Sequence, residues 1–262
     1  MDNDTPDVGR KRRDRMRDIL ERVREQGSTT TDELIRACGV SAATVRRDLS
    51  ELEARGLVQR SYGRVEAVGV LPELPVVMRA SAADAAKRAV GRLAARLLPS
   101  GRQAVAVSGG TTTMEVVRAL GDRNGLTVIT NAVTIALEVS RSPRVKTILT
   151  GGTLRATSLE AVGPLAEAAF SAFRVTTAFL GTDGISAAGG VTTHDDTEAR
   201  TNGVMVTHAD RVVVVCDGSK VGRQTMARMA DIGDVSVLVT DEHAPREALE
   251  QIAAAGVEVL IA

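Results

Sequence analysis

A glycine- and threonine-rich segment, SGGTTT at residues 108–113, has the composition of an anion-binding loop. Glycines let the backbone approach a ligand, and threonine hydroxyls and free amides can hold negatively charged oxygens. A helix expected to begin near Thr113 points its N-terminus at the same place, which favours a phosphate. The segment lacks the Gly-Lys-Ser/Thr of a Walker A loop and the glycine spacing of a dinucleotide fingerprint. A tight turn that binds nothing is the alternative interpretation.

Similar polar loops follow four other apolar runs of the sequence. Among their residues, Arg155 or Lys220 could meet a phosphate, and Asp183 could bind sugar hydroxyls. Ligands of open parallel sheets bind beyond the carboxyl ends of the strands, so these loops would surround one site. Turn formation alone could explain any single loop. The residues that we expect to bind a small ligand are Ser108, Gly109, Gly110, Thr111, Thr112, Thr113, Asn131, Gly152, Arg155, Asp183, Gly184 and Lys220.

An arginine pair, Arg46 and Arg47, marks a second candidate site within the run GVSAATVRRDLSELEARG at 39–56. Ser41 is a suitable N-cap for a helix there, and Gly56 suits the left-handed residue that ends one. The exposed face of this helix would be small and basic toward its N-terminal end. The alternative is an ordinary solvated face on which Asp48 and Glu51 pair with the arginines. The buried face is expected to contain Val45, Leu49 and Leu52.

The neighbouring elements favour a DNA-binding role for this helix. An earlier amphipathic helix spans residues 16–23, and Thr30 with Glu33 predicts a capping box that opens a second helix. The turn at 38–41 then joins two short helices, as in a helix-turn-helix. Residues 57–68 alternate loosely around a Tyr62-Gly63 tip and predict a β-hairpin wing. The predicted DNA-binding residues are Ser41, Ala43, Thr44, Arg46, Arg47, Arg60 and Arg64.

The charge distribution supports the same assignment. The 262-residue chain has no net charge, but residues 10–64 hold 14 Lys and Arg against 9 Asp and Glu, a net charge of +5. Residues 65–262 carry a net charge of −2 and residues 1–9 a net charge of −3. A local excess of positive charge is sufficient to neutralise phosphates of DNA.

Seven short apolar runs, separated by helical stretches, predict a mostly parallel sheet with helices on both faces. They are AVAV (104–107), TVIT (127–130), KTILT (146–150), TTAFL (176–180), RVVVVC (211–216), SVLVT (236–240) and VEVLIA (257–262). We therefore predict an α/β fold class in two parts. The first part is a winged helix-turn-helix domain at 1–65. It is followed by a linker at 66–80 that orders on the second domain. The second part is an α/β domain at 81–262 for ligand binding and oligomerisation.

The composition excludes several classes of protein. Aromatic residues make up 2% of the chain and tryptophan is absent, which argues against a stacking platform for single-stranded nucleic acid. The N-terminal residues lack an apolar signal segment and no apolar run approaches a membrane span, so we expect a cytoplasmic protein without membrane contact. Cys38 and Cys216 lie among apolar residues and are expected to be buried free thiols.

The N-terminal run resembles the signature of DeoR-type bacterial transcriptional regulators. The residues that carry the resemblance are Val40-Ser41, Thr44-Val45-Arg46-Arg47-Asp48-Leu49, Leu52, Gly56-Leu57 and Arg60. The wing departs from that family, because Tyr62-Gly63-Arg64-Val65 replaces its usual His-Gly-Gly-Ala run.

The rest of the chain, from about Arg79 to Asp241, resembles the effector domain of the same family, whose fold is similar to ribose-5-phosphate isomerase. The resemblance implies that the domain senses a phosphorylated sugar or a related metabolite. Ser108 stands where the family usually has an acidic residue, and Asn202 where it usually has lysine. The matching stretches are Gly110–Thr113, Thr130-Asn131, Gly151-Gly152, Val162-Gly163, Gly181, Asp183-Gly184, Gly190, Thr192-Thr193, Glu198-Ala199, Asp217 and Ser219-Lys220.

A metal site at 194–198 is a weaker interpretation. His194, Asp195, Asp196 and Glu198 are close in sequence, but no second histidine has ligand spacing and neighbouring residues cannot all face one ion. His208 and His243 are expected to be structural or solvated. No nucleophile elbow supports a Ser-His-Asp set.

These observations predict a regulator that binds double-stranded operator DNA as a homo-oligomer, a dimer or tetramer, under control of a phosphorylated sugar or related metabolite. The resemblance implies that it is a repressor of carbohydrate-metabolism genes. No cofactor is expected. One alternative is a sugar-phosphate isomerase with an accessory domain, in which Asp183 and Lys220 do acid–base chemistry. Another is a winged helix that contacts protein and an α/β body that only dimerises.

Overall fold

In the computed structural model, which describes residues 6–61, 63–68, 73, 75–79 and 84–262, the chain folds as two units, residues 1–82 and 83–262. The described part of the first unit contains helices packed beside a three-stranded sheet. Its elements are α1 (Pro6–Gln26), β1 (Ser28–Thr30), α2 (Thr31–Cys38), α3 (Ala42–Ala54), β2 (Val58–Ser61), β3 (Arg64–Ala67) and α4 (Val76–Arg79).

The local signals in the sequence set the helix ends as predicted. Thr30 caps α2 in a capping box with Glu33, and the backbone hydrogen bond from Thr30 lowers the pKa of the Glu33 carboxyl. The Ser41 hydroxyl accepts a hydrogen bond from the Thr44 amide at 3.2 Å. Gly56 follows α3 with φ +68°, a conformation in which glycine has no Cβ penalty. The core of this unit contains Met16, Ile19, Leu20, Val23, Leu34, Val45, Leu49, Leu52, Leu57, Val58, Val65 and Met78.

The predicted wing is confirmed as the antiparallel hairpin of β2 and β3, although Tyr62 at its predicted tip lies outside the described residues. The strand β1 adds to the other edge of β3, so the sheet order is β1-β3-β2. The sequence did not predict β1, because three small polar residues carry no apolar period. Its middle residue, Thr29, is nevertheless buried.

A buried carboxylate ties α1 to α3. Asp48 is 1% exposed and accepts hydrogen bonds from Arg12 Nε at 3.1 Å and Arg15 Nε at 2.6 Å. Arg12 also contacts Glu51 at 2.5 Å. Because Asp48 lies on the inner side of α3, its charge is neutralised by α1 rather than by its neighbours along the same helix.

The segment after the wing differs from expectation. We predicted a linker at 66–80 that orders on the second domain, but Met78 of α4 is buried in the core of the first unit, and Arg79 pairs with Glu73. Val76 and Met78 fit an apolar core. This short helical turn was not predicted because the segment contains two prolines and shows no clear apolar period. The domain boundaries at 65 and 80 stay predictions.

The second unit is built on a seven-stranded parallel sheet, which confirms the predicted α/β architecture. The sheet order is β15-β14-β12-β9-β4-β5-β6, and each of the seven predicted runs forms one of these strands. The elements are α5 (Asp84–Arg96), β4 (Gln103–Val107), α6 (Thr111–Leu120), β5 (Leu126–Thr130), α7 (Val133–Val139), β6 (Lys146–Leu149), β7 (Thr153–Arg155), β8 (Glu160–Val162), α8 (Pro164–Ser171), β9 (Thr177–Leu180), β10 (Gly184–Ser186), β11 (Gly190–Thr193), α9 (Asp196–Thr207), β12 (Val212–Val215), β13 (Ala227–Ala230), β14 (Val237–Thr240), α10 (Arg246–Ala254) and β15 (Glu258–Ile261).

Alternate residues of each strand pack on opposite faces of the sheet. Val213 and Val215 belong to the core shared with α5, α6 and α7, whereas Val212 and Val214 belong to the core shared with α9 and α10. Continuous valine runs are therefore buried on both faces, as parallel strands require. Within the described ranges, no helix combines the length and apolar character that crossing a bilayer requires.

Two small antiparallel sheets were not predicted. β7 pairs with β8, and β11 pairs with both β10 and β13. These strands are only three or four residues long, which is too short to show a clear period-2 pattern in the sequence. They carry several of the polar side chains described below.

Replacing Asp48 with alanine should weaken the first unit, because two arginines of α1 lose a buried hydrogen-bonding partner. We expect the free energy of opening that protects the α1 and α3 amides to fall by about 1–3 kcal/mol, which is the size expected for hydrogen bonds to charged groups. Native-state hydrogen exchange of the α1 and α3 amides in the full chain measures this directly.

Asp18→Ala is the matched control for that experiment. Asp18 contacts Arg17 but its side chain is 60% exposed, so its removal should change protection by no more than about 0.5 kcal/mol. Equal protection in Asp48→Ala and Asp18→Ala would contradict the assignment of Asp48 as the tie between the helices.

Candidate functional site

The N-terminal half of α3 presents the predicted DNA-binding residues to solvent. Ser41, Ala43, Arg46 and Arg47 are exposed and Thr44 is half-buried. Among the described residues, neither arginine side chain has a hydrogen bond or ion pair to another group. Two unengaged guanidinium groups therefore stand beside small side chains that allow close approach of a partner.

The alternative in which Asp48 and Glu51 neutralise this arginine pair is wrong. Asp48 pairs with arginines of α1, and Glu51 pairs with Arg12 and Arg55. Residues one or two positions apart on a helix do not face each other, so Asp48 cannot share the outer face with Arg46 and Arg47. The positive charge of that face stays uncompensated.

The wing arginines are engaged within the first unit. The guanidinium of Arg60 donates to Glu53, with Nε 2.9 Å from Oε2, and this hydrogen bond lowers the pKa of the Glu53 carboxyl. Arg64 Nε donates to the Ser28 hydroxyl at 2.8 Å. Both arginines are exposed, and Arg64 faces a neutral partner. Arg64 thus keeps its full charge on the wing, whereas that of Arg60 is shared with Glu53.

In the second unit, the loops after β4 and β9 meet at the carboxyl edge of the sheet. Ser108 is buried, and its hydroxyl accepts a hydrogen bond from the Gly181 amide at 2.9 Å. A Cβ on Gly181 would lie 2.9 Å from the Gly109 carbonyl oxygen, so the approach requires glycine. The structure thereby brings the predicted loop 108–113 next to the loop that carries Asp183.

Helix α6 starts in this loop with free N-terminal amides. Gly110 is the N-cap with φ +132°, and within the described residues no side chain caps the first turn. The Gly110 carbonyl accepts a hydrogen bond from the Thr113 hydroxyl at 3.0 Å, which fixes the turn. The Thr113 hydroxyl is thus already engaged, whereas the backbone amides of a first helical turn have no partner within the helix and are the groups that an anion could use.

Lys220 and Asp183 form an ion pair at 3.4 Å between Nζ and Oδ1. Asp183 is 6% exposed and also accepts from the Thr193 hydroxyl at 3.2 Å. The Lys220 side chain keeps 24% of its surface exposed, so its ammonium group can reach a ligand. The predicted sugar-binding acid and the predicted phosphate-binding base therefore lie beside each other.

The predicted Arg155 is held by protein carboxylates. Its Nε lies 3.2 Å from Asp195 Oδ2, and its guanidinium also contacts Glu198 and donates to Ser158. A ligand phosphate would have to compete with two carboxylates for this arginine. The alternative use of Asp195 and Glu198 as metal ligands also loses support, because Asp195 caps α9 by accepting from the Glu198 amide at 2.8 Å.

Two predicted glycines are needed for close backbone packing. A Cβ on Gly152 would lie 2.7 Å from the Val162 carbonyl oxygen, and one on Gly184 would lie 2.7 Å from that of Arg223. Their part in ligand binding stays a prediction. Within the described ranges, no group of three or more His, Cys, Asp or Glu side chains could hold a metal ion.

The two cysteines are free, and they differ in burial. Cys216 is buried at the end of β12, where desolvation raises the pKa of its thiol to about 12 and keeps it neutral. Cys38 is only half-buried, against the expectation that both thiols are buried, because it occupies the last position of α2.

Glu160, the most deeply buried acid beside the loop, was not among the residues predicted from the sequence. Glu160 is 2% exposed, and its Oε1 accepts from the Gly109 amide at 2.7 Å and from Asn202 Nδ2 at 3.3 Å. The row continues inward, since Asn131 Nδ2 donates a hydrogen bond to Asn202 Oδ1 at 3.1 Å. Glu160 lies on the unpredicted strand β8, so no sequence signal placed it near residue 109.

Both units of the chain are similar to known protein domains. Residues 15–69 match the DeoR-like helix-turn-helix domain, and residues 82–242 match the DeoR C terminal sensor domain. The HTH-type transcriptional regulator GlpR of Haloferax volcanii is 36% identical over 248 residues, which cover 94% of this chain and 96% of that protein. The glycerol-3-phosphate regulon repressor of Escherichia coli K12 is 31% identical over 227 residues, covering 87% and 90%.

Among solved structures, ribose 5 phosphate isomerase A from Neisseria gonorrhoeae has a TM-score of 0.38 and 14% sequence identity. The match covers 55% of this chain and 54% of that chain. A likeness at this level carries no conclusion about activity.

Proposed function

Because the chain belongs to the DeoR family of transcriptional regulators, we propose that it represses carbohydrate-metabolism genes and leaves its operator when a phosphorylated sugar binds. Its close relatives are transcriptional regulators, and this chain is likewise a transcriptional regulator and not an enzyme. The observation that carries the proposal is the exposed arginine pair on the N-terminal half of α3, which has no ion-pair partner among the described residues. We further propose that it acts in the cytoplasm as a homo-oligomer, since palindromic half-sites match a symmetric protein.

The DNA-binding half of the proposal rests on the charge and shape of α3. Recognition helices place their N-terminal residues against base edges of the major groove, and arginine can donate two hydrogen bonds to guanine. Arg47 is the residue that we assign to a base edge, and Arg46 to a phosphate. Arg60 and Arg64 on the wing would contact the phosphate backbone of the DNA, which adds affinity without sequence information.

The effector half rests on the first turn of α6 and on Lys220. Uncapped amides at a helix N-terminus attract anions, and an ammonium group nearby adds a counter-charge. In this proposal the phosphate lies over the amides of Gly110 to Thr113, Lys220 contacts it, and Asp183 accepts a hydrogen bond from the sugar. The name of the Escherichia coli relative refers to a phosphorylated polyol, which is the same chemical class.

Replacing Arg47 with alanine should lower the affinity for a duplex that the wild-type protein selects from a random-sequence pool by about 1–3 kcal/mol. Discrimination at one base pair should relax at the same time. Arg46→Ala should weaken binding to every sequence alike. It should also reduce, by about 1, the slope of the logarithm of the binding constant against the logarithm of the salt concentration. Fluorescence anisotropy over a series of salt concentrations measures both effects.

Arg55→Ala is the matched control, since Arg55 is an exposed arginine at the opposite end of α3 and contacts Glu51. It should change operator affinity little. Unchanged affinity in an Arg46→Ala, Arg47→Ala double variant whose circular dichroism is native would exclude α3 as the recognition helix.

Replacing Lys220 with alanine should lower effector affinity at least about tenfold, because a charge-assisted contact to the phosphate is lost. The ligand for this test is the tightest binder among ribose 5-phosphate, glucose 6-phosphate, fructose 6-phosphate and glycerol 3-phosphate, measured by calorimetry. Arg246→Ala, which removes a 92% exposed arginine side chain of the same unit, should bind it normally. Equal binding of the dephosphorylated sugar would refute the phosphate assignment.

A further inference from the structure

A row of buried polar side chains leads inward from the anion-binding loop. It begins at the half-buried Gly109, whose amide donates to Glu160, and continues through Asn202 to Asn131. The three side chains are 2%, 2% and 0% exposed. Buried polar groups are costly unless they are satisfied, so the balance of donors and acceptors in this row decides what it can bind.

The row has more acceptors than donors. Asn131 Oδ1 is completely buried and has no hydrogen-bond partner among the residues that the structure describes. Within the described residues, no cation lies within ion-pair distance of Glu160, and only its Oε1 receives donors. Exchanging the amide oxygen and nitrogen of Asn131 would not help, since it would set an oxygen against Asn202 Oδ1. A buried carboxylate matched only by amide donors favours a further donor or a positive charge.

The row also lies beside the proposed phosphate position. Gly109 immediately precedes Gly110, the N-cap of α6, and the Glu160 carboxylate already occupies the Gly109 amide. A phosphate oxygen cannot use that amide as well, and it would be repelled by the carboxylate. The anion is thus confined to the helix end, and a different part of the ligand must face Glu160.

We propose that Glu160, oriented by Asn202 and Asn131, binds a hydrogen-bond-donating group on the sugar part of the effector, either a hydroxyl or an ammonium group. The inference rests on the proposed function and deepens it, because a contact to Glu160 would make the site select sugar phosphates over inorganic phosphate. Glu160 contacts the ligand, while Asn202 acts as a positioning residue. An ammonium group would be favoured over a hydroxyl by the unneutralised charge.

The test uses the full chain, the variant Glu160→Gln, and calorimetry with four probes: inorganic phosphate, glucose 6-phosphate, 2-deoxyglucose 6-phosphate and glucosamine 6-phosphate. Wild type should bind either glucose 6-phosphate or glucosamine 6-phosphate at least about tenfold more tightly than the 2-deoxy compound. Glu160→Gln should lose that preference. The same variant should bind inorganic phosphate more tightly than wild type, because a repelling charge is gone.

These opposite changes separate ligand contact from a structural role, since a loosened loop would weaken every probe. Asn202→Ala retains the Glu160 charge, so it should weaken sugar-phosphate binding without raising the affinity for inorganic phosphate. Glu250→Gln, at a 65% exposed side chain of α10, should match wild type. Hydroxyl and ammonium recognition are distinguished by which of the two hexose phosphates binds more tightly.

Unchanged probe preference in Glu160→Gln, with wild type binding sugar phosphates, would overturn this inference and leave the proposed function intact. A parallel loss for all probes in Glu160→Gln would assign Glu160 a structural role only. If wild type binds neither inorganic phosphate nor any sugar phosphate, the proposed phosphate site fails first and the inference falls with it.

Discussion

A carboxylate that leaves water must be matched by a cation or by hydrogen-bond donors, because its desolvation costs several kcal/mol. In the first unit, Asp48 is matched by two arginines of α1, and that pairing leaves Arg46 and Arg47 without a partner among the described residues. In the second unit, Asp183 and Glu198 engage Lys220 and Arg155. Within the described part of the chain, Glu160 has amide donors alone. The placement of buried acids therefore determines which charges remain for DNA and for a small ligand.

This arrangement suits a ligand-controlled regulator. The Lys220–Asp183 contact is 3.4 Å long and partly exposed, so an anion can compete for the lysine at modest free-energy cost. Arg155 is held by two carboxylates and is a poorer candidate for exchange. An effector shifts an equilibrium only by its differential affinity for two conformations, so contacts that the ligand breaks matter as much as those that it makes.

Local signals in the sequence were sufficient for much of the fold. Ser41, Thr30 and Gly56 act on the backbone within a few residues, and seven apolar runs are long enough to show strands buried on both faces. Other features depend on distant pairings that leave no periodic trace. Asp48 meets Arg12 across 36 positions, and Glu160 meets Gly109 across 51. The strands β7, β8, β10, β11 and β13 are three or four residues long, too short to show an alternating pattern, so the acids and hydroxyls on them could not be placed.

In the proposed function, one chain couples DNA affinity to a phosphorylated sugar, and linkage makes that coupling measurable in both directions. The most direct measurement is the affinity for a selected duplex across a titration of the tightest-binding sugar phosphate, together with the affinity for that sugar phosphate with and without saturating duplex. The expected result is that the sugar phosphate weakens DNA binding, and that DNA weakens sugar-phosphate binding by the same factor. Equal DNA affinity with and without saturating sugar phosphate would contradict it.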